Sequence, residues 1–132
     1  MEAKATAKYV RLSPLKVRRV LALVRGCDVA KALALLDFTS GAPAVAIRKV
    51  IASAAANAET NHGMNRERLW VRRAYADAGP RLRWYRAGSL GRGGRIRRPM
   101  SHITVVLDER PERAAAPGRR ASRRREKDGG KA

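Results

Sequence analysis

Seven arginines stand between Gly79 and Pro99 with no acidic residue among them: Arg81, Arg83, Arg86, Arg92, Arg95, Arg97 and Arg98. A guanidinium is always charged and presents a planar fork of donors that clamps phosphate bidentately, so this run points to phosphate chemistry. Trp84 and Tyr85 lie inside it, where a ring either stacks on an unpaired base or packs across a strand pair. A second cluster, Lys16, Arg18 and Arg19, follows Ser13-Pro14 at what reads as a helix start. Cations oppose the helix dipole there, whereas free backbone N–H groups attract an anion; a phosphate site and a solvated polar face both fit. Catalysis is poorly served. His62 and His102 are the two histidines, Cys27 is the single cysteine, and carboxylates do not cluster. There is no Walker A loop, no Gly-x-Gly-x-x-Gly after a strand and no His-Glu-x-x-His. Gly91-Arg92-Gly93-Gly94 imitates a phosphate loop, but no helix follows to lend its dipole. No enzymatic activity, cofactor or metal is expected.

The 132 residues suit one small domain with a modest core, since 45% are apolar. Thirty basic residues against 11 acidic ones give a formal charge of +19, far beyond what solubility requires. Nucleic-acid backbone is the common partner of such a surplus, through counterion release. No amphipathic basic helix, lipidation signal or bilayer-length apolar run supports a membrane partner. Met1-Glu-Ala-Lys-Ala-Thr6 lacks the apolar core of a signal peptide, so a cytosolic chain is expected. Arg outnumbers Lys 23 to 7, which suits folded RNA and equally suits a GC-rich genome.

These residues need elements to hold them. Ala3, Ala5, Ala7 and Tyr9 alternate with Lys4, Thr6 and Lys8, the period of a half-buried strand. Ser13-Pro14 opens a helix to about Arg25, with Val17, Val20, Leu21 and Val24 as its apolar stripe and Gly26 as its stop. Asp28 can cap a short second helix carrying Val29, Ala32, Leu33 and Leu36. After Thr39-Ser-Gly41 a third is expected over about residues 42–58, with Ile47, Val50, Ile51, Ala54 and Ala58 inward. Its many alanines read as helix propensity more than as close approach of another backbone. Leu69, Val71 and Tyr75 share one strand parity that Arg73 interrupts, which a bulge or an edge position would explain. Ile103, Val105 and Leu107 face away from His102 and Thr104 on a returning strand. The expected fold is α+β: three helices packed on a small three-stranded antiparallel sheet, with a long protruding β-hairpin arm. Residues 1–109 would form the globular domain, 80–99 its arm, and 110–132 a basic disordered tail. Arm legs of roughly ten residues would reach roughly 30 Å.

Several motifs resemble one family: Ser13-Pro-Leu-Lys-Val-Arg18, Ser53-Ala-Ala-Ala-Asn-Ala58, Asn61-His62, Ala78-Gly-Pro80 and Ser101-His-Ile-Thr104. In this order and spacing they resemble the twenty-second protein of the bacterial large ribosomal subunit, from about Lys4 to Leu107. The resemblance implies the fold above, binding of large-subunit rRNA, a role in subunit assembly, and a hairpin tip lining the nascent-peptide exit tunnel. Implied rRNA-binding residues in the domain are Lys8, Arg11, Ser13, Lys16, Arg18, Arg19, Asn57, Asn61, His62, Ser101 and His102. On the arm they are Arg81, Arg83, Trp84, Tyr85, Arg86, Arg92, Arg95, Arg97 and Arg98. The tip would be Ala87, Gly88, Ser89, Leu90, Gly91, Arg92 and Gly93, which keeps Gly91 and Arg92 but has fewer cations than the family's usual tip. Implied partners are large-subunit rRNA, neighbouring ribosomal proteins and, transiently at the tip, the nascent peptide, with no membrane and no homo-oligomer.

Two other classes compete with this one. A DNA-binding helix-turn-helix would need base-reading polar residues on the second helix, which offers Lys31 as its one cation. An RNA-modifying enzyme would need a nucleophile, metal site or cofactor pocket that the chain does not display.

Overall fold

The computed structural model describes residues 1–111, so all but the first two residues of the expected tail lie outside the described residues. Strand β1 (Glu2–Val10) is followed by helices α1 (Pro14–Val24), α2 (Val29–Phe38) and α3 (Ala42–His62), then strands β2 (Leu69–Ala87) and β3 (Gly93–Glu109). The sheet is antiparallel in the order β1-β3-β2, and the helices pack on one of its faces.

Each helix begins and ends where local chemistry dictates. Ser13 occupies the N-cap position of α1 with Pro14 at N1, although the Ser13 hydroxyl makes no cap bond. Gly26, at φ +74°, turns the chain out after α1. Asp28 precedes α2 without capping it through its side chain. The third helix runs past Ala58 to His62, where Gly63 adopts the left-handed cap conformation and its N–H bonds to Ala58 and Glu59 carbonyls. Polar Glu59, Thr60, Asn61 and His62 continue the helix because nothing before Gly63 breaks it.

The core lies between helices and sheet. Val17, Leu21 and Val24 from α1, Ala32 and Leu36 from α2, and Ile47, Ile51, Ala54 and Ala58 from α3 meet Ala3, Ala5, Ile103, Val105 and Leu107. On β2 the buried set is Leu69, Val71, Ala74 and Ala76. Pairing shifts between Val71 and Arg73, leaving Arg72 as the extra residue of a bulge, so burial moves from odd to even positions. Tyr75, expected to share the face of Leu69 and Val71, is thereby turned out of the core and is 38% exposed. Arg72 bonds to both Glu2 and Asp108 across three strands.

The two outer edges of the sheet differ. Along β2, the Gly26 N–H donates to the Val71 carbonyl, the Val71 N–H to Cys27, and two arginines, Arg18 of α1 and Arg25 at its C-cap, cover the next carbonyls. Arg25 Nε donates to Ala74 O at 2.7 Å and Arg18 Nε to Ala76 O at 3.0 Å. Seven residues apart, they share one face of α1, and they occupy an edge that would otherwise template another strand. Along β1, Asn57 Nδ2 donates to Lys4 O at 3.3 Å. Past β3, Arg110 closes the domain: its guanidinium bonds Gly26 O and Asp28 and lies 5.5 Å from the Trp70 ring centre.

Candidate nucleic-acid interface

The arm is the distal part of β2 and β3, and the root is marked on both flanks of Ser101. Lys8 and Tyr9 bulge out between the Ala7–Ile103 and Val10–Ser101 pairs, with Tyr9 at φ +57°. On the other side pairing slips between Ala78–Ser101 and Arg81–Pro99. Gly79 sits in that slip, where an added Cβ would lie 3.2 Å from the backbone C and O of Met100. A side chain here would push the strands apart by a few tenths of an ångström, and Pro80 beside it has no N–H to leave unpaired. Ser101 itself is fully buried and its hydroxyl has no partner among the described residues. His102 accepts the Tyr9 N–H through Nδ1 at 3.0 Å and meets the Tyr9 ring edge-on. Ser101 and His102 thus both stand at the root, Ser101 buried within it and His102 half-buried beside Tyr9.

Above the root, seven residue pairs continue from Arg81–Pro99 to Ala87–Gly93, about 23 Å of ladder. The turn is closed by Gly88 N–H to Arg92 O at 2.7 Å, with Leu90 (φ 57°) and Gly91 (φ 68°) both left-handed. Leu90 is 93% exposed at the apex. No helix backs this ladder. Its strand alternation sorts the side chains into two faces. One carries Arg81, Arg83, Tyr85, Arg95 and Arg97, with Arg83 directly opposite Arg97. Like charges so placed repel, and the arm has no carboxylate to offset them. Tyr85 is tied within this face: Arg95 Nε donates to its hydroxyl at 3.2 Å, and its ring lies over Gly93.

The other face carries Leu82, Trp84, Arg86, Ile96 and Arg98 and turns toward the chain between β1 and α1. Together they enclose a groove of about 810 Å³, completed by Arg11, Leu12, Ser13, Lys16, Tyr85, Pro99 and Met100. Its floor is apolar and its rim cationic. Lys16 reaches it from the first turn of α1, which contains no acidic residue, so the positive helix end and the rim reinforce each other.

Of the residues expected to bind rRNA, the groove gathers Arg11, Ser13, Lys16, Trp84, Tyr85, Arg86 and Arg98. The opposite arm face holds Arg81, Arg83, Arg95 and Arg97, and Arg92 lies at the turn. Lys8 and Arg19 are exposed near the root and on α1. Arg18 spends its Nε on the β2 edge, and Asn57 its amide on Lys4. Asn61 and His62 are exposed at the far end of α3, beyond Asn57 and Lys4, and are not brought to the groove. The edge-capping role of Arg25 and the clamp made by Arg110 have no sequence signal beyond the seven-residue spacing of Arg18 and Arg25. The ion pairs of the described residues, such as Arg48–Asp37 at 2.7 Å and Arg110–Asp28 at 3.3 Å, all lie outside the arm. Among the described residues, the arm's cations form no ion pair.

Known proteins are similar to this chain over nearly the whole described length. The family model for ribosomal protein L22p/L17e matches residues 5–108. The large ribosomal subunit protein uL22 of Halothermothrix orenii is 49% identical over 112 residues, covering 85% of this chain and 99% of its own length. That of Carboxydothermus hydrogenoformans is 50% identical over 112 residues with the same coverage. The protein of the same name from Clostridium acetobutylicum is 50% identical over 110 residues, covering 83% and 99%. A basic two-stranded arm rooted in a three-helix α+β domain, together with this identity across both parts, places the chain in the ribosomal protein L22p/L17e family.

Proposed function

We propose that this chain is a structural protein of the large ribosomal subunit that binds large-subunit rRNA and supports subunit assembly. Residues 1–109 act as the binding domain and the arm places residues 87–93 in the wall of the peptide exit tunnel. One observation carries the reading: seven arginines stand on a paired two-stranded arm that has no carboxylate and no helix behind it. An arm of this kind gains from a surrounding polyanion and has no use as a self-contained fold. Family membership supports the same reading, and neighbouring ribosomal proteins then become its other contacts. The nascent peptide would pass the exposed apex, where Leu90 and four glycines between 88 and 94 offer little bulk beyond one apolar side chain. The helix-turn-helix alternative loses ground, because α2 exposes mainly Ala34, Leu35 and Phe38, with Lys31 as its one cation and Asp37 paired to Arg48.

The test is binding of the full chain to large-subunit rRNA across a salt series. Each neutralised phosphate contributes about −0.7 to −0.9 to the log–log slope, so a slope of several units is expected. Deleting residues 86–95 should leave the domain folded, since no core residue lies there, while lowering that slope and altering the tunnel wall in particles that contain it. A flat titration, or an unaltered wall, would contradict the reading.

A further inference from the structure

The two faces of the arm are built differently, and phosphate binding alone accounts for only one of them. The face of Arg81, Arg83, Arg95 and Arg97 is a cationic strip whose one ring, Tyr85, meets Arg95 and Gly93 and touches the groove only at its border. The groove face adds an apolar floor of Leu12, Leu82, Ile96 and Met100. Trp84 lies opposite Ile96 across the ladder, lines the groove and is 61% exposed, so much of its ring remains open to a ligand. The volume of about 810 Å³ falls within the range of pockets that hold small ligands, roughly 300 to 1,000 Å³. Arg11, Lys16 and Arg98 stand around that floor, and the Ser13 hydroxyl beside them makes no cap bond and is free to pair with a ligand.

We propose that this groove is a site for unpaired nucleotides: one base, or two in succession, lies on Trp84 over the apolar floor, and the flanking phosphates are held by Arg11, Lys16 and Arg98. The inference rests on the RNA-binding reading above and adds what kind of RNA this face takes. A-form duplex presents phosphates and 2′-hydroxyls outward and keeps its bases stacked inside, so it has nothing to lay on Leu82 and Ile96. A splayed-out base has a π-face for Trp84 and removes apolar surface from water. Duplex RNA is left to the arginine strip on the opposite face. The arm is thus two-sided, with backbone bound on one face and bases on the other.

The test uses the full chain with two probes of equal phosphate number, a single-stranded RNA oligonucleotide and a fully paired RNA duplex. The variants are Trp84→Ala and Trp84→Phe; the site is exposed, and unchanged melting confirms intact folding. Trp84→Ala should weaken single-strand binding by about 5- to 150-fold, the span reported for loss of one stacked base. Duplex affinity should stay within about twofold and the salt slope should not change, because no cation is removed. Trp84→Phe should recover a substantial part of the single-strand loss. Equal losses on both probes, or no loss on the single strand, would overturn the nucleotide site while leaving RNA binding intact. Failure of the parent chain to bind either probe at low salt would overturn the RNA-binding reading itself.

Discussion

The same two strands live in two environments. Below Ser101, β2 and β3 pair from Leu69–Glu109 to Ala78–Ser101 with β1 alongside and three helices over one face, and Ile103, Val105 and Leu107 are fully buried. Above it, the strands pair through seven more positions with no third strand and no helix, and residues 81–95 are all exposed. Backbone hydrogen bonding continues through both regions. Burial and charge do not. The lower ladder is held by apolar area removed from water; the upper one has only cross-strand contacts such as Trp84–Ile96, opposed by repulsion such as Arg83–Arg97. A continuous ladder is therefore no measure of uniform stability: the domain strands have a core beside them and the arm strands have none.

The largest expected effect probes the buried region. Ile103→Ala removes three carbons from a fully buried site and should cost about 2–5 kcal/mol in urea unfolding, whereas Ile96→Ala on the arm should cost under about 1 kcal/mol. Equal losses would show that the arm has a core of its own. Next comes the root. Gly79→Ala puts a methyl 3.2 Å from Met100 backbone and should cost about 1–3 kcal/mol, while Gly94→Ala, 3.7 Å from Arg86 O, should be nearly silent in thermal melting. A silent Gly79→Ala would remove the root as a fixed junction. A smaller effect concerns the β2 edge: Arg25→Met deletes the bond to Ala74 O and should cost about 0.5–1.5 kcal/mol without changing RNA affinity much. The smallest is on the arm. Arg97→Glu turns the Arg83–Arg97 repulsion into attraction worth about 0.2–1 kcal/mol of local pairing, read as slower amide exchange at residues 82–84 in the free protein. The same change should weaken RNA binding and flatten its salt slope, separating arm order from arm function.

The sequence displayed much of this division. The stripe of Val17, Val20, Leu21 and Val24, the Gly26 stop and the inward set Ile103, Val105 and Leu107 follow from period and punctuation, and all are buried or placed as expected except Val20, which is half-buried. The arm was legible from seven arginines without a carboxylate between two strand patterns. Tyr75 was misassigned because the bulge, though anticipated, has no sequence mark that fixes it at Arg72. The end of α3 lies past Ala58, where the apolar periodicity stops, because no breaker stands between Glu59 and His62 and the left-handed cap comes only at Gly63. The groove was not legible as a unit. It brings residues 11–16 against residues 82–100, a separation of about seventy positions that no local pattern encodes. Arg18 shows a related limit: the chain reveals a cation near a helix start but not that its Nε is committed to Ala76 O.

Amide exchange of the full chain, free and bound to large-subunit rRNA, tests the central claim most directly. In the free protein, amides of residues 81–98 should exchange rapidly while those of Val105, Leu107, Leu21 and Ile51 stay protected, because burial ends at the root. On rRNA the arm amides should slow markedly and the core amides should barely change. Arm amides as slow as that of Val105 without RNA, or unaffected by its addition, would contradict the account.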